Sequence, residues 1–425
     1  MPRPHLLSLE EARARILEDV LPLRPESLPL SEALGRVLTE DVAALLTLPP
    51  WDNSAMDGFA VRSEAVAAAT PETAVTLRVV GEVAAGHEPA GYVEPGTAMR
   101  ILTGGMLPPG ADAVVKVEDT DAPPGLAALP QTVAIHVAAP IGKNIRRTGS
   151  DVRQGDQLLP AGTRVGPAAI ALLAAAGHAH VNVHRRPRVA IIATGDELTP
   201  IGEPLGSASI PDSNSESLAA QVTAVGAEPV RLGIAIDDAG AVRERLLEGI
   251  LAADVLVVSG GVSVGAHDVV KDVFEEIGTL DLWRVAIQPG KPLAYGRAPR
   301  PDGGHCLLFG LPGNPVSTFV TFELFVRPVL RRMRGEAGDQ GRPSVRATLA
   351  QAVSKSAARR AFVRVTLEPD LEREGRYLAH LAGGQGSYQL TALAAADGLA
   401  IIPEGAADAP AGIEVEVIRL DVELT

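Results

Sequence analysis

The sequence predicts a multidomain α/β protein with three parts: a central three-layer α/β domain carrying a mostly parallel sheet, a β-rich N-terminal domain, and a C-terminal β-barrel-like domain. Three observations predict it. From Arg188 the text alternates strand, loop and helix, in RVAIIATGDEL, NSESLAAQVTAVG, AEPVRLGIAIDD, AGAVRERLLEGILAA and DVLVVSGG. Before that, from Trp51 to about Pro140, short apolar runs such as TLRVVG and DAVVKVED are separated by Gly and Pro. After the polar break GEAGDQGRPS, the segments AFVRVTLEP, YLAHLAG, AIIPEG and EVEVIRLDVEL are apolar or alternating over strand lengths.

Ser8 and Glu11 have the spacing of a capping box, so a helix is expected from residue 8 to about 20, with another near 31–43. Residues 1–48, together with 141–182 and its alanine-rich helical stretch, read as an N-terminal helical and linker region. Leu48-Pro49-Pro50 marks the entry to the β-rich domain, 49–140. The α/β domain is placed at 183–333 and ends on the long helical segment PVSTFVTFELFVRPVLRRM. The C-terminal β domain takes 342–425. At 425 residues, two to four units of this size are expected.

Thirty-eight Lys plus Arg against 52 Asp plus Glu give a formal charge of -14, which argues against broad nucleic-acid binding yet allows a local cationic pocket. The single cysteine, Cys306, excludes an intrachain disulfide framework and reads as a small buried hydrophobe. The first twenty residues lack a continuous apolar segment, and AAIALLAAAG is too short to span a bilayer. A cytoplasmic protein with no membrane partner is the expectation.

The candidate chemistry gathers at strand ends. SGGVSVGAHD follows the strand-like DVLVV. Gly260, Gly261 and Ser263 expose backbone N–H groups ahead of a helix N-terminus, a device that suits anions, yet the lysine and hydroxyl of a P-loop are missing. The stretch is either a ligand loop or an ordinary tight turn. Asp268 would repel an unpaired phosphate, a conflict that a divalent cation between the two would remove. Glu197, in TGDEL, and Asp237 with Asp238 follow two other strands and would emerge at the same sheet edge, as candidate metal ligands. WRVAIQPGKP is expected to begin a strand at Arg284 and to hold Lys291 at the same edge as a compact charge for an oxyanion. In LPGNP, Asn314 reads as N-cap and Pro315 as the first helical residue, with Pro312 and Gly313 in the turn. The N-terminal half adds polar turns around Asp57 in WDNSAMDGFAVR, Thr103 in MRILTGGMLPPGAD and Asp151 in GKNIRRTGSDVRQGD. His178, His180 and His184 are close in sequence but are not expected to form a metal site.

Taken in order, DNSAMDGFAVR, MRILTGGMLPPGADAVV, GKNIRRTGSDVRQGD, IIATGDEL, VVSGGVSVGAHD, QPGKPLAYG and LFGLPGNPVS closely resemble the MoeA family, the molybdopterin molybdenumtransferases. The resemblance covers essentially the whole chain and is weakest in the last 80 residues. It implies an elongated homodimer, with the α/β domain binding molybdopterin and the N-terminal domain facing that site across the dimer interface. It further implies insertion of molybdate into adenylylated molybdopterin with release of AMP and dependence on Mg2+. Matched residue by residue, it implies catalytic roles for Asp57, Thr103, Asp151, Asp268 and Lys291. Substrate contacts would come from Gly260, Gly261, Ser263, Arg284, Gln288, Pro312, Gly313, Asn314, Pro315 and Ser387. Glu197, Asp237 or Asp238, and Asp268 would hold the metal.

Two departures stand out. Arg284 replaces a lysine found in many members, and QPGKP replaces KPGKP, so Gln288 is neutral where a cation is usual. Transient contacts with a molybdopterin adenylyltransferase and with molybdoenzyme maturation factors are further expectations. The rival readings are a tungstate-inserting homologue, a molybdopterin adenylyltransferase and a noncatalytic pterin-binding scaffold.

Overall fold

The computed structural model describes residues 6–123, 128–236, 238–261, 269–338, 341–405 and 407–421. The strands Arg188–Thr194, Val255–Ser259 and His305–Leu311 are nearly continuous apolar runs because both faces of their sheet are covered. Alternate residues serve opposite layers. Val189, Ile191, Val255, Val257, Leu307 and Phe309 enter one core with the helices Ser213–Ala224 and Pro315–Thr321, while Ala190, Ile192, Leu256, Val258 and Leu308 enter a second core with Ala239–Ala252 and Val269–Ile277. Gly249 permits the close approach on that second face, since a Cβ there would lie 2.1 Å from Leu256 Cδ1. Cys306 is fully buried, and burial pushes its thiol up to about 12, so it packs as a hydrophobe.

The sheet order is Glu228–Ala235, Arg188–Thr194, Val255–Ser259, His305–Leu311, Pro292–Pro299, Thr279–Arg284. The first four are mutually parallel, Pro292–Pro299 runs against them, and Thr279–Arg284 runs against Pro292–Pro299. Arg284 therefore ends a strand rather than beginning one, and it faces Pro292 across a hairpin. The outcome preserves its position, because the end of Thr279–Arg284 and the start of Pro292–Pro299 both lie at the edge where the parallel strands terminate.

The helix Leu9–Leu17 forms as its capping box predicts, Ser8 Oγ accepting the Glu11 N–H and the Glu11 carboxylate accepting the Ser8 N–H. Its Leu9, Ala12 and Ile16 pack into the first α/β core. The expected helix near 31–43 is absent. Only a 3-10 turn, Leu30–Glu32, appears, because Gly35 takes φ +73° and the chain then bridges Val37 to Arg164 and Leu38 to Val183 before Val42–Ala43 pairs with Gln157–Leu159. Ala33, Leu38 and Val42 are buried there with Val165, Leu173 and Val181, a small core that offsets the lost helical bonds.

The N-terminal β sheet has the order Ala113–Lys116, Gly58–Val61, Thr97–Ile101, Val75–Val83, Thr132–Ile135. In the C-terminal domain, Arg360–Pro369, Tyr377–Leu381, Ser344–Leu349, Glu414–Arg419 and Gly398–Ile402 close on themselves, since the last pairs with the first. The short Ile287–Gln288, leaving the α/β sheet, pairs in parallel with Arg360–Ala361 and so couples the barrel to the sheet edge. The long terminal helix carries a π turn, Phe322–Val326, between Pro315–Thr321 and Arg327–Met333. There Glu323, 5% exposed, accepts from Arg327 Nε at 2.6 Å, Arg342 Nε at 2.6 Å and Gln221 Nε2 at 2.8 Å. Among the described residues no helix is long and apolar enough to cross a membrane.

Candidate functional site

The strand Arg188–Thr194 has Glu228–Ala235 on one side and Val255–Ser259 on the other, so the strand order switches sides beyond the ends of Thr194 and Ser259. In open α/β sheets this is where a ligand crevice forms. Thr194, 5% exposed, points its Oγ1 into it with no hydrogen-bond partner among the described residues. Gly260 (φ +97°) and Gly261 (φ +62°) follow Ser259, and a Cβ on either would come 3.0 Å from Thr194 Oγ1. The two glycines thus keep this cradle open. Ser263 and Asp268 of the same loop lie outside the described residues.

The far wall is the Pro312-Gly313-Asn314-Pro315 turn. Asn314 occupies the N-cap position and Pro315 the first helical position, but the Asn314 side chain makes no capping bond. Thr318 stabilises the turn instead, its hydroxyl donating to the carbonyls of Pro312 and Asn314. Asn214 joins the two walls, donating to Ser259 Oγ at 2.8 Å and to the Gly313 carbonyl at 2.7 Å. Its place in the first turn of Ser213–Ala224 aims that helix's N-terminus at the same crevice.

Beside it, a cleft of about 380 Å³ opens between the Gln288-Pro289-Gly290-Lys291 turn and the barrel. Lys291, Lys355 and Arg359 line it together with Ser317 and Ser387, and among the described residues no carboxylate does. Lys355 is 8% exposed and donates to the carbonyls of Ser356 at 3.2 Å and Arg359 at 2.8 Å. Burial holds its ammonium below the usual lysine range, opposed next by Glu404 and aided to a smaller extent by Arg359. Gln288 Oε1 accepts the Ser356 N–H at 3.4 Å. Ser387 contributes its carbonyl to the Val316 N–H at 3.0 Å, linking barrel to helix.

In the N-terminal domain Asp57 accepts the Thr103 N–H at 2.6 Å, and that bond, followed by the Thr103 side chain, holds its carboxyl below the usual carboxylate range. Gly58 can be nothing larger, because a Cβ would meet the Val115 carbonyl at 2.0 Å. Asp151 is exposed, on a loop whose backbone is fixed to Leu48. Next to it Asp52 binds Arg147 at 2.6 Å and the Thr148 N–H at 2.8 Å. Among the described residues no hydrogen bond or ion pair joins Asp57, Thr103 or Asp151 to the α/β crevice.

The acidic loops come together only in part. Glu197 is exposed and folds back over Gly195, where a Cβ would lie 2.5 Å from its Oε2. Asp238 commits its carboxylate to the cap of Ala239–Ala252, accepting from Ala241 N at 2.9 Å. Asp237 and Asp268 lie outside the described residues. Among the described residues no three His, Cys, Asp or Glu side chains form a group able to hold a metal, so these alone do not compose a Mg2+ site.

Four residues of the site were not singled out in the sequence. Thr194 reads in the sequence as the start of the acidic loop after RVAIIA, Asn214 as part of a helical segment, and Lys355 and Arg359 belong to no motif. The alternation of Lys, Arg and small residues in SKSAARRAF was the available signal, but nothing local says that this loop folds back on Lys291.

Three family models match in order: the MoeA N-terminal region (domain I and II) at residues 7–177, "Probable molybdopterin binding domain" at 190–332, and the MoeA C-terminal region (domain IV) at 346–420. A molybdopterin molybdenumtransferase 2 of Mycobacterium tuberculosis is 40% identical over 96% of this chain and 98% of its own length, and a molybdopterin molybdenumtransferase of Nostoc is 38% identical over 93% and 89%. Two crystal structures of the molybdopterin biosynthesis MoeA protein from Pyrococcus horikoshii superpose with TM-scores of 0.80 and 0.77 at 34% and 30% identity. They cover 98% of this chain and 99% and 100% of those. With the fold, the motif order and full-length relatives in agreement, this chain belongs to the MoeA family, the molybdopterin molybdenumtransferases.

Proposed function

We propose that this chain inserts molybdate into adenylylated molybdopterin, releasing AMP and giving molybdenum cofactor. The observation that carries the reading is the pairing of two adjoining sites at one sheet edge: a glycine-walled crevice with a buried Thr194 hydroxyl, and a cationic cleft, the first with no partner for that hydroxyl and the second with no carboxylate in its lining among the described residues. The first suits the phosphates of a pterin nucleotide, which backbone N–H groups and helix N-termini bind well. The second suits a tetrahedral oxyanion held by Lys291, Arg359 and Lys355. Proximity does much of the work, since a reactant pair held at the correct distance gains a large effective concentration. The two pterin thiols bond to molybdenum as one oxo ligand leaves as water with the two thiol protons, and a water or molybdate oxygen attacks the adenylyl phosphoanhydride, AMP departing as leaving group. Mg2+ dependence belongs to the same proposal. It rests on the sequence, in which Glu197, Asp237, Asp238 and Asp268 follow three strands of the sheet, and the ion would neutralise phosphate charge.

Asp57, Thr103 and Asp151 complete the site in this reading when the N-terminal domain of a second copy faces the crevice, so a homodimer is part of the proposal. Reconstitution tests it. Purified protein, adenylylated molybdopterin, molybdate and Mg2+ are expected to yield cofactor that activates an apo-molybdoenzyme, and binding of the pterin without that product would leave a scaffold instead. Substituting tungstate for molybdate in the same assay reads the metal preference.

A further inference from the structure

Arg364 is completely buried in the strand Arg360–Pro369, yet among the described residues no acidic side chain pairs with it. Among the described residues its Nε and Nη1 have no partner and only Nη2 is used, donating to the carbonyls of Gly384 at 2.9 Å and Gly386 at 3.2 Å. Gln385 closes the clasp, its Oε1 accepting the Arg364 N–H at 2.9 Å and its Nε2 donating to the Arg364 carbonyl at 3.1 Å. Burial holds the guanidinium below its ordinary pKa. Holding a charge in such a place is unfavourable unless an opposite charge approaches it. A latch to two carbonyls alone does not require a cation with idle donors.

The clasped loop explains what that charge faces. Gly386 and Ser387 form one wall of the cationic cleft, and Ser387 also accepts the Val316 N–H at the start of the long helix. Arg364 stands behind that wall, while Lys291, Lys355 and Arg359 stand around the opening. We infer that Arg364 is a positioning residue for the oxyanion: an anion in the cleft is its counter-charge, and binding there tightens the Gly384–Ser387 loop against the helix that carries the LPGNP turn. The inference rests on the proposed oxyanion role of this cleft and adds a residue that acts through the loop, without touching the ion.

Molybdate titration of the full-length protein by calorimetry and by thermal shift, on wild type, Lys291→Ala, Arg364→Met and Arg364→Lys, tests it. Arg364→Met is expected to weaken molybdate binding about tenfold, the loss of one cation acting across a partly buried wall, and Arg364→Lys to recover most of that loss. The KM for molybdate should rise in parallel while pterin affinity is retained. If both Arg364 variants melt at lower temperature but bind molybdate as wild type does, while Lys291→Ala does not, Arg364 is structural and the inference falls alone. If wild type binds no molybdate, or Lys291→Ala binds it normally, the cleft is not the oxyanion site and both readings fall. Should the Arg364 variants not fold, hydrogen exchange on wild type decides: slower exchange in residues 383–389 on adding molybdate supports the coupling, and unchanged exchange overturns it.

Discussion

Asp57 accepts the backbone N–H of Thr103 at 2.6 Å, joining the turn after DNSAMD to the turn after MRIL. The bond is stronger to the ionised carboxylate, so the folded pKa lies below the ordinary value of about 3.9. Its contribution to stability is therefore fully present above that ordinary value and is lost as the pH falls through the lower folded one. The Asp57 carboxyl resonance is expected to titrate below that of an unfolded reference peptide, and a midpoint at or above the peptide's contradicts the assignment. Asp57→Ala should reduce kcat by about 10²-fold or more with little change in the melting temperature, as expected of an exposed group acting in the reaction.

If Asp57 serves the crevice of a second copy, complementation follows. Asp57→Ala and Lys291→Ala homodimers are each expected to be nearly inactive. Mixed with free exchange, half the dimers are heterodimers in which one composite site is intact and the other carries both changes, giving about a quarter of wild-type activity. No recovery after verified exchange would place both residues of a working site in one chain.

Glu323 is predicted to be the most sensitive ionisable position for folding. Arg327 and Arg342 both donate to it inside the core, so Glu323→Gln removes the buried carboxylate charge that the two guanidinium groups share. A loss of about 3–5 kcal/mol in urea unfolding is expected. A loss under about 1 kcal/mol would show that the network contributes little.

Gln288→Lys restores the cation that many family members carry in this turn. It is expected to tighten molybdate binding about threefold at low salt, with the gain vanishing as salt is raised, because an added exposed charge acts over a Debye length. Unchanged affinity at low salt would mean that Lys355 and Arg359 already supply the charge the site can use.

Much of this arrangement was legible because its causes are local. The capping box at Ser8 and Glu11 specifies a helix start within four residues, and RVAIIAT or HCLLFGL can be so uniformly apolar only when both faces are covered. The expected helix near 31–43 failed because Ala33, Leu38 and Val42 suit a helical face as well as a small mixed core, and the left-handed Gly35 decided between them. Arg284 was placed at the wrong end of its strand because composition carries no strand direction, and an antiparallel hairpin inside a parallel sheet is a tertiary event. The cleft was legible from one side only. Lys291 announced itself in a Pro-Gly turn, whereas Lys355 and Arg359 reach it through barrel closure and the Ile287–Gln288 pairing, which no local pattern encodes.

The central claim is that the crevice and the cationic cleft act on one substrate pair, and AMP release reports on it directly. Purified protein given adenylylated molybdopterin and Mg2+ should release AMP slowly alone and much faster on adding molybdate, with the stimulated rate lost in Lys291→Ala. Release that is indifferent to molybdate, or equally stimulated in Lys291→Ala, would contradict the account.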